Sequence, residues 1–367
     1  MPETASENMS AEAKAASRPK PLFLEQAVMV RVVVSLVPIV VAGVYFFGWR
    51  VVALLAVCVA GGVATEFVTT RRRGKPVSQA VFVTCFLYAL SLPPTMPFWM
   101  AAVGIVVGVL FGKEVFGGFG RNFANPAIVG RAFVYVAFPV EMTGHFVPAF
   151  RIFPAGFARW SFASLSETPV WVRHVAMKGV DAMTAATPMW ARRDFGHDTP
   201  VLKLFLGQIG GSFEDGVSWK VLAAGSIGEV CALFIILAGI YLIATKTANW
   251  RLTLSTLFGA VAANFVFRTL GGAEGVPPVL VTLFSGALLY GAVFMVTDPV
   301  SAPRKKPSMW IYGAFIGAMV VLLRWKAQFA GAVAFAILMG NIVGPTIDLA
   351  VGALEARKKA KAAEAKA

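Results

Sequence analysis

One run of the chain, Lys178-Gly-Val-Asp181-Ala-Met-Thr184-Ala-Ala186-Thr187-Pro188, sets a carboxylate beside two hydroxyls. By residue type alone this is a turn or helix start, because Asp and Thr side chains accept from backbone N–H groups there. A second run, Gly112-Lys-Glu114-Val-Phe-Gly117-Gly118-Phe-Gly120-Arg-Asn122-Phe-Ala-Asn125-Pro126, breaks an apolar stretch. Its glycines permit positive φ and close approach of backbone to a flat ring or another helix. Asn122 and Asn125 offer amide donors and acceptors that suit the carbonyls of a redox ring. The spacing is not that of a phosphate-binding loop, and no strand precedes it. Three further carboxylates stand out: Glu229 after Gly225-Ser-Ile-Gly228, Asp298 before Pro299, and Asp348.

The elements that must carry these groups are apolar. Of 367 residues, 57% are hydrophobic and only 14% charged, in long blocks rather than an alternating or helical-period pattern. Helices apolar on every side belong in a bilayer. About ten such blocks are expected as spans: Val28–Phe47, Val51–Val68, Gln79–Leu92, Pro97–Phe111, Ala127–Val140, Ile227–Ala244, Leu252–Leu270, Pro278–Val296, Met309–Leu323 and Phe329–Val351. A carboxylate at membrane depth is costly and marks a candidate cation path, which singles out Asp298 and Asp348. Glu229 is either an interfacial anchor or a buried carboxylate. Glu66 and Arg31 are expected near helix ends, reaching to the interface.

The net charge of +14 does not point to nucleic acid, because the basic residues sit in short connections. Arg71, Arg72, Arg73, Lys75, Lys113, Arg121, Lys246, Arg251, Arg304, Lys305 and Lys306 fall on one side, which the positive-inside rule makes cytoplasmic, along with both termini. Arg50, Arg324 and Lys326 fall on the other. Cys58, Cys85 and Cys231 stand singly, and His145, His174 and His197 match no metal spacing. Residues 1–27 read as a disordered cytoplasmic tail, 141–226 as a long outer loop and 352–367 as a basic cytoplasmic tail.

Two sets of five spans, 28–140 and 227–351, would cross in opposite senses, which is the inverted repeat of many transporter folds. Asn122-Phe-Ala-Asn125-Pro126 is echoed by Asn341-Ile-Val-Gly344-Pro345. Prolines free backbone groups that cannot face lipid, so short or broken helices at matching places point to a central site. The expected fold is therefore an all-α integral membrane protein with broken or short helices at its centre.

Gly112 to Phe133, together with Asp181-Ala-Met-Thr-Ala-Ala-Thr187-Pro, Gly225 to Glu229, Asn249-Trp-Arg251 and Thr297-Asp-Pro-Val-Ser-Ala302, resembles the NqrB/RnfD family of membrane redox subunits. The resemblance runs from about Val28 to Asp348. Glu114 and the Gly130-Arg-Ala-Phe133 run look more like the NqrB type, from Na+-translocating NADH:quinone oxidoreductases. Pro188 and the shorter chain lean toward the RnfD type. Ala185 stands where the family's attachment signature usually has Gly.

The resemblance implies FMN joined through its phosphate to Thr187, with Asp181, Thr184 and Ala186 completing the motif read by a flavin transferase. It implies a noncovalent riboflavin and ubiquinone near Gly117 and Gly118, with Asn122 and Asn125 as candidates for the riboflavin or quinone pocket. Electrons would pass from FMN through riboflavin to quinone, coupled to Na+ movement, with Glu114, Asp298, Asp348 and Glu229 as ion-path candidates. The implied partners are an NADH-oxidising flavoprotein and a second FMN subunit in a bacterial inner membrane, since no nucleotide site is found in this chain. Two rivals stand: an RnfD-type subunit of a ferredoxin:NAD ion-pumping complex, and a flavin-free inverted-repeat channel or transporter.

Overall fold

The computed structural model describes residues 22–150, 152–159, 186–214, 219–327 and 331–365. Asp181, Thr184 and His174 lie outside them. The chain is a multi-pass membrane protein. Among the described residues, five helices are long and apolar enough to cross a bilayer by length and composition. They are α1 (Ala27–Phe47), α2 (Arg50–Arg72), α10 (Trp250–Gly275, apolar to Gly271), α12 (Lys306–Trp325) and α13 (Ala332–Glu364). Shorter apolar helices lie between: α3 (Ala80–Leu90), α4 (Phe98–Val109), α5 (Pro126–Ala137) and α9 (Ala232–Ala244).

Two helical passages are irregular. α4 runs into a π-helical turn, Leu110–Glu114. The expected span 278–296 is broken into α11 (Val279–Phe284), a kink at Ser285–Gly286, a single turn at Leu288–Tyr290 and a π-helical stretch, Gly291–Met295. Gly286 takes φ +66°, so the α11 backbone cannot continue through it. Freed carbonyls in such a break need protein partners because lipid supplies none.

Small residues let the helices touch. Gly104 and Gly108 of α4, followed by Gly112 in the π-helical turn, face α5, and a Cβ on Gly108 would sit 2.6 Å from the Pro126 carbonyl. Gly317 of α12 faces the Thr256 carbonyl of α10 in the same way, with no room for a side chain. With little hydrophobic drive between helices in lipid, this close van der Waals packing is the main cohesion. α1 also packs on α9, and α5 on α13.

The stretch expected as a long outer loop has structure of its own. It holds α6 (Pro139–Thr143), α7 (Pro188–Phe195), α8 (Val201–Leu206) and an antiparallel hairpin of Ser212–Glu214 with Trp219–Val221. Inside the expected N-terminal tail, Phe23–Leu24 pairs in parallel with Val77–Ser78. At the other end of the chain α13 continues through the basic tail without a break.

One expectation is overturned. Glu66 does not reach the interface: it is 1% exposed and pairs with Lys113 at 2.6 Å. Lys113, counted above among the charges of a short connection, is 3% exposed. Ser78 completes the cluster, receiving from Lys113 at 2.7 Å and donating from its hydroxyl and backbone N–H to Glu66 at 2.7 and 2.8 Å. The π-helical turn rotates Lys113 inward, where a buried charge persists only when paired and hydrogen-bonded.

Candidate functional site

Thr187 is held by backbone pairing on one side and by a helix on the other. Ala186 donates to the Val221 carbonyl at 3.0 Å, and its own carbonyl accepts from Ala223 at 2.9 Å. Thr187 is then the N-cap of α7, its carbonyl accepting from Ala191 at 2.7 Å, with Pro188 pre-shaped for the first helical position. Its hydroxyl makes no capping hydrogen bond. A free hydroxyl at a helix N-terminus is a good place for a phosphate, since first-turn N–H groups lack intrahelical partners and the dipole favours negative charge.

Thr187 opens on a cavity of about 560 Å³. Such a volume lies in the ordinary range for a cofactor or drug-sized ligand. Trp190 and Trp325 supply flat apolar walls, and Arg131, Arg324 and Glu229 bring charge to it. At the rim, Arg192 is paired with Asp198 and Arg193 with Asp194. The hydrogen bond from Arg193 holds the Asp194 carboxyl below its ordinary value.

The deeper guanidiniums have neutral partners. Arg131 donates to the Ser91 carbonyl at the end of α3 and to the Ser226 hydroxyl at 3.4 Å. Arg324 donates to the Thr282 carbonyl in the last turn of α11 at 3.0 Å. Each therefore caps the negative end of a short helix. Glu229 accepts from the Ser226 N–H at 2.8 Å in a capping box. Sequence reading passed over Arg131 and counted Arg324 as a helix-end charge. An arginine inside an apolar span was the available signal.

Gly117 and Gly118 lie toward the opposite end of the bundle, past the π-helical turn, with φ +111° and +91°. Glu114, fully buried, accepts from Arg73 and from Thr69, each at 3.0 Å, and its other carboxylate oxygen has no hydrogen-bond partner among the described residues. A Cβ on Gly118 would lie 3.2 Å from the Arg73 guanidinium and 3.8 Å from that carboxylate. Val115, Phe116, Phe119 and Phe123 present exposed apolar surface around the loop.

Asn122, Asn125 and Asp298 do come together, with Lys113, around a second cavity, but it measures about 70 Å³. That is too small for a flavin ring. The amides are also committed: Asn125 caps α5 through the Ala127 N–H at 3.0 Å, and Asn122 donates to the Ala124 carbonyl at 3.3 Å. Asp298 accepts from the Val300 N–H at 3.0 Å. Asp348 is not enclosed; it is partly exposed and accepts from the backbone of Arg304 and Lys305 at 2.9 and 3.4 Å, ahead of α12. Among the described residues no histidine, cysteine or carboxylate group forms a metal cluster.

The sequence model of the NQR2, RnfD, RnfE family matches residues 24–354, nearly the whole described chain. The chain belongs to this family. It is 34% identical over 286 residues to the B component of the Na(+)-translocating NADH-quinone reductase of Pseudomonas aeruginosa (strain PAO1), covering 77% of this chain and 61% of that relative. It is 35% identical over 282 residues to the B component of the same enzyme from Chromohalobacter salexigens, covering 76% and 59%. To the D component of the ion-translocating oxidoreductase complex of Actinobacillus succinogenes it is 31% identical over 341 residues, covering 89% and 92%. The chain thus spans about three-fifths of the NADH-quinone reductase relatives and nearly all of the Actinobacillus relative. These members of the NQR2, RnfD, RnfE family are subunits of multi-subunit membrane redox complexes.

Proposed function

We propose that this chain is the membrane flavoprotein subunit of an ion-translocating NADH:quinone oxidoreductase of the bacterial inner membrane. FMN is esterified through its phosphate to Thr187. The carrying observation is Thr187 itself: an N-cap whose hydroxyl is unused, opening on a cavity of about 560 Å³. The α7 N-terminus receives the phosphate, Trp190 and Trp325 supply apolar walls for the ring, and Arg131, Arg324 and Glu229 set the local charge. Bound FMN supplies electron transfer, which the side chains of this protein lack. Asp181, Thr184 and Ala186 serve recognition by a flavin transferase.

Quinone is reduced near Gly117 and Gly118, where the missing side chain of Gly118 leaves the Arg73 guanidinium, held by Glu114, open to a ring carbonyl. The exposed phenylalanines around that loop suit an isoprenoid tail. Glu114, Asp298, Asp348 and Glu229 remain the ion-path candidates. The small cavity beside Asp298 has the scale of a few waters or an ion rather than a ring. The spans form two inverted repeats of five, with both termini cytoplasmic and the Thr187 segment periplasmic. Electrons enter from partner proteins of the complex, including an NADH-oxidising flavoprotein.

The chain's coverage of 92% of the Actinobacillus relative favours a second reading, an RnfD-type subunit with a different electron donor and acceptor. Flavin attachment at Thr187 is common to both. The test is denaturing electrophoresis of chain made with a flavin transferase, followed by peptide mass mapping. A fluorescent band and an FMN-modified Thr187 peptide are expected. A dark band and an unmodified peptide would return the chain to the flavin-free transporter reading. Quinone reduction by the purified complex separates the two redox readings.

A further inference from the structure

An apolar bundle seldom places charge around one cavity without use. Among the residues lining the Thr187 cavity are four arginines, with Glu229 as the carboxylate. The two at the rim are neutralised by Asp198 and Asp194. Arg131 and Arg324 have no carboxylate hydrogen-bonded to them among the described residues, and both line the same cavity as Glu229. Each is fixed in place by a helix-end carbonyl rather than left free to move. Arg324 is also wedged at the kink of the broken passage: a Cβ on Gly286 would lie 2.8 Å from its guanidinium. The kink thus makes the room in which this charge sits beside the cavity.

We infer that Arg131, Arg324 and Glu229 are positioning residues for charge, setting the reduction potential of the ring tethered at Thr187. The inference rests on the flavin reading above. An electron delivered by a one-electron donor to a ring held there would break no bond and would add one negative charge beside these residues until a proton followed. Held guanidiniums stabilise that added charge and a carboxylate opposes it. Beside the partly apolar walls of a cavity such charge effects are larger than on an open surface. Arg324 and Glu229 therefore pull the potential in opposite directions.

The experiment uses the full chain made with a flavin transferase, titrated with dithionite and redox mediators while flavin absorbance is followed. Arg324→Gln is expected to lower the midpoint and Glu229→Gln to raise it. Each change should shift the oxidised-to-reduced ratio at fixed potential about tenfold, which is ~59 mV for a one-electron couple. A purely structural role would not give shifts of opposite sign. Arg131→Gln is the riskier variant, since it also unties Ser91 and Ser226. If Arg324→Gln does not fold, Glu229→Gln decides alone by the sign of its shift. Fluorescent, flavin-bearing variants with unchanged midpoints overturn this inference and leave flavin attachment standing. A parent chain without the fluorescent band overturns both.

Discussion

The backbone N–H of Asn125 donates to the side-chain oxygen of Asn341 at 3.0 Å, across 216 residues of sequence. Asn125 opens α5 and Asn341 lies in α13, so the two echoed Asn-Pro motifs meet directly. Asn341 in turn donates to the Tyr312 hydroxyl at 2.5 Å, drawing α12 into the same contact. The helix start at Asn125 thereby gains a partner for an N–H that the helix itself cannot satisfy.

Asn341→Ala leaves that N–H and the Tyr312 hydroxyl buried without partners. The expected cost is about 1–3 kcal/mol. Asn341→Asp, which keeps the acceptor oxygen, should lose less if the carboxyl is protonated. Thermal unfolding in detergent or nanodiscs reads the difference. Equal melting temperatures for the Asn341→Ala variant and the parent protein would show that the contact contributes nothing to stability.

The Glu66–Lys113 pair calls for a double-variant comparison. Removing one partner, as in Glu66→Gln or Lys113→Met, leaves an uncompensated buried charge and should cost roughly 3–5 kcal/mol. Removing both should cost clearly less than the sum of the single losses. Additive losses in the same unfolding assay would mean that the two groups are independent.

At Thr187 the chemistry predicts a sharp split. Thr187→Ala should abolish the fluorescent band in denaturing gels with little change in melting temperature, because the hydroxyl caps nothing. Thr187→Ser keeps a hydroxyl and should retain some flavin. A strong band in Thr187→Ala would move the attachment to another side chain.

Gly118→Ala probes the other end of the bundle. The residue sits at φ +91°, where a Cβ costs about 1–2 kcal/mol and crowds the Arg73 guanidinium at 3.2 Å. Quinone reduction by the complex should fall at least several-fold while flavin content stays at the parent level. Unchanged quinone kinetics would remove Gly118 from the acceptor site.

How much of this was written in the chain can be argued from particular residues. The long apolar blocks determined a multi-pass membrane protein, since nothing but a bilayer accommodates helices apolar all round. The prolines and glycines marked where helices would break. Those are local properties of composition and spacing, so sequence suffices for them. Thr187 was singled out by resemblance to a family and not by its residue type. The tertiary structure alone decided which charges are buried and with whom. Glu66 looked like an interfacial carboxylate until a π-helical turn brought Lys113 onto it. Asn122 and Asn125 are local in sequence, but only the folded chain shows their amides hydrogen-bonded to the Ala124 carbonyl and the Ala127 N–H. Arg131, Glu229 and Arg324 share one cavity only because three separate segments converge on it. Burial and pairing are relations through space between residues far apart in the chain, and the free energy of a charge depends on them far more than on its sequence neighbours.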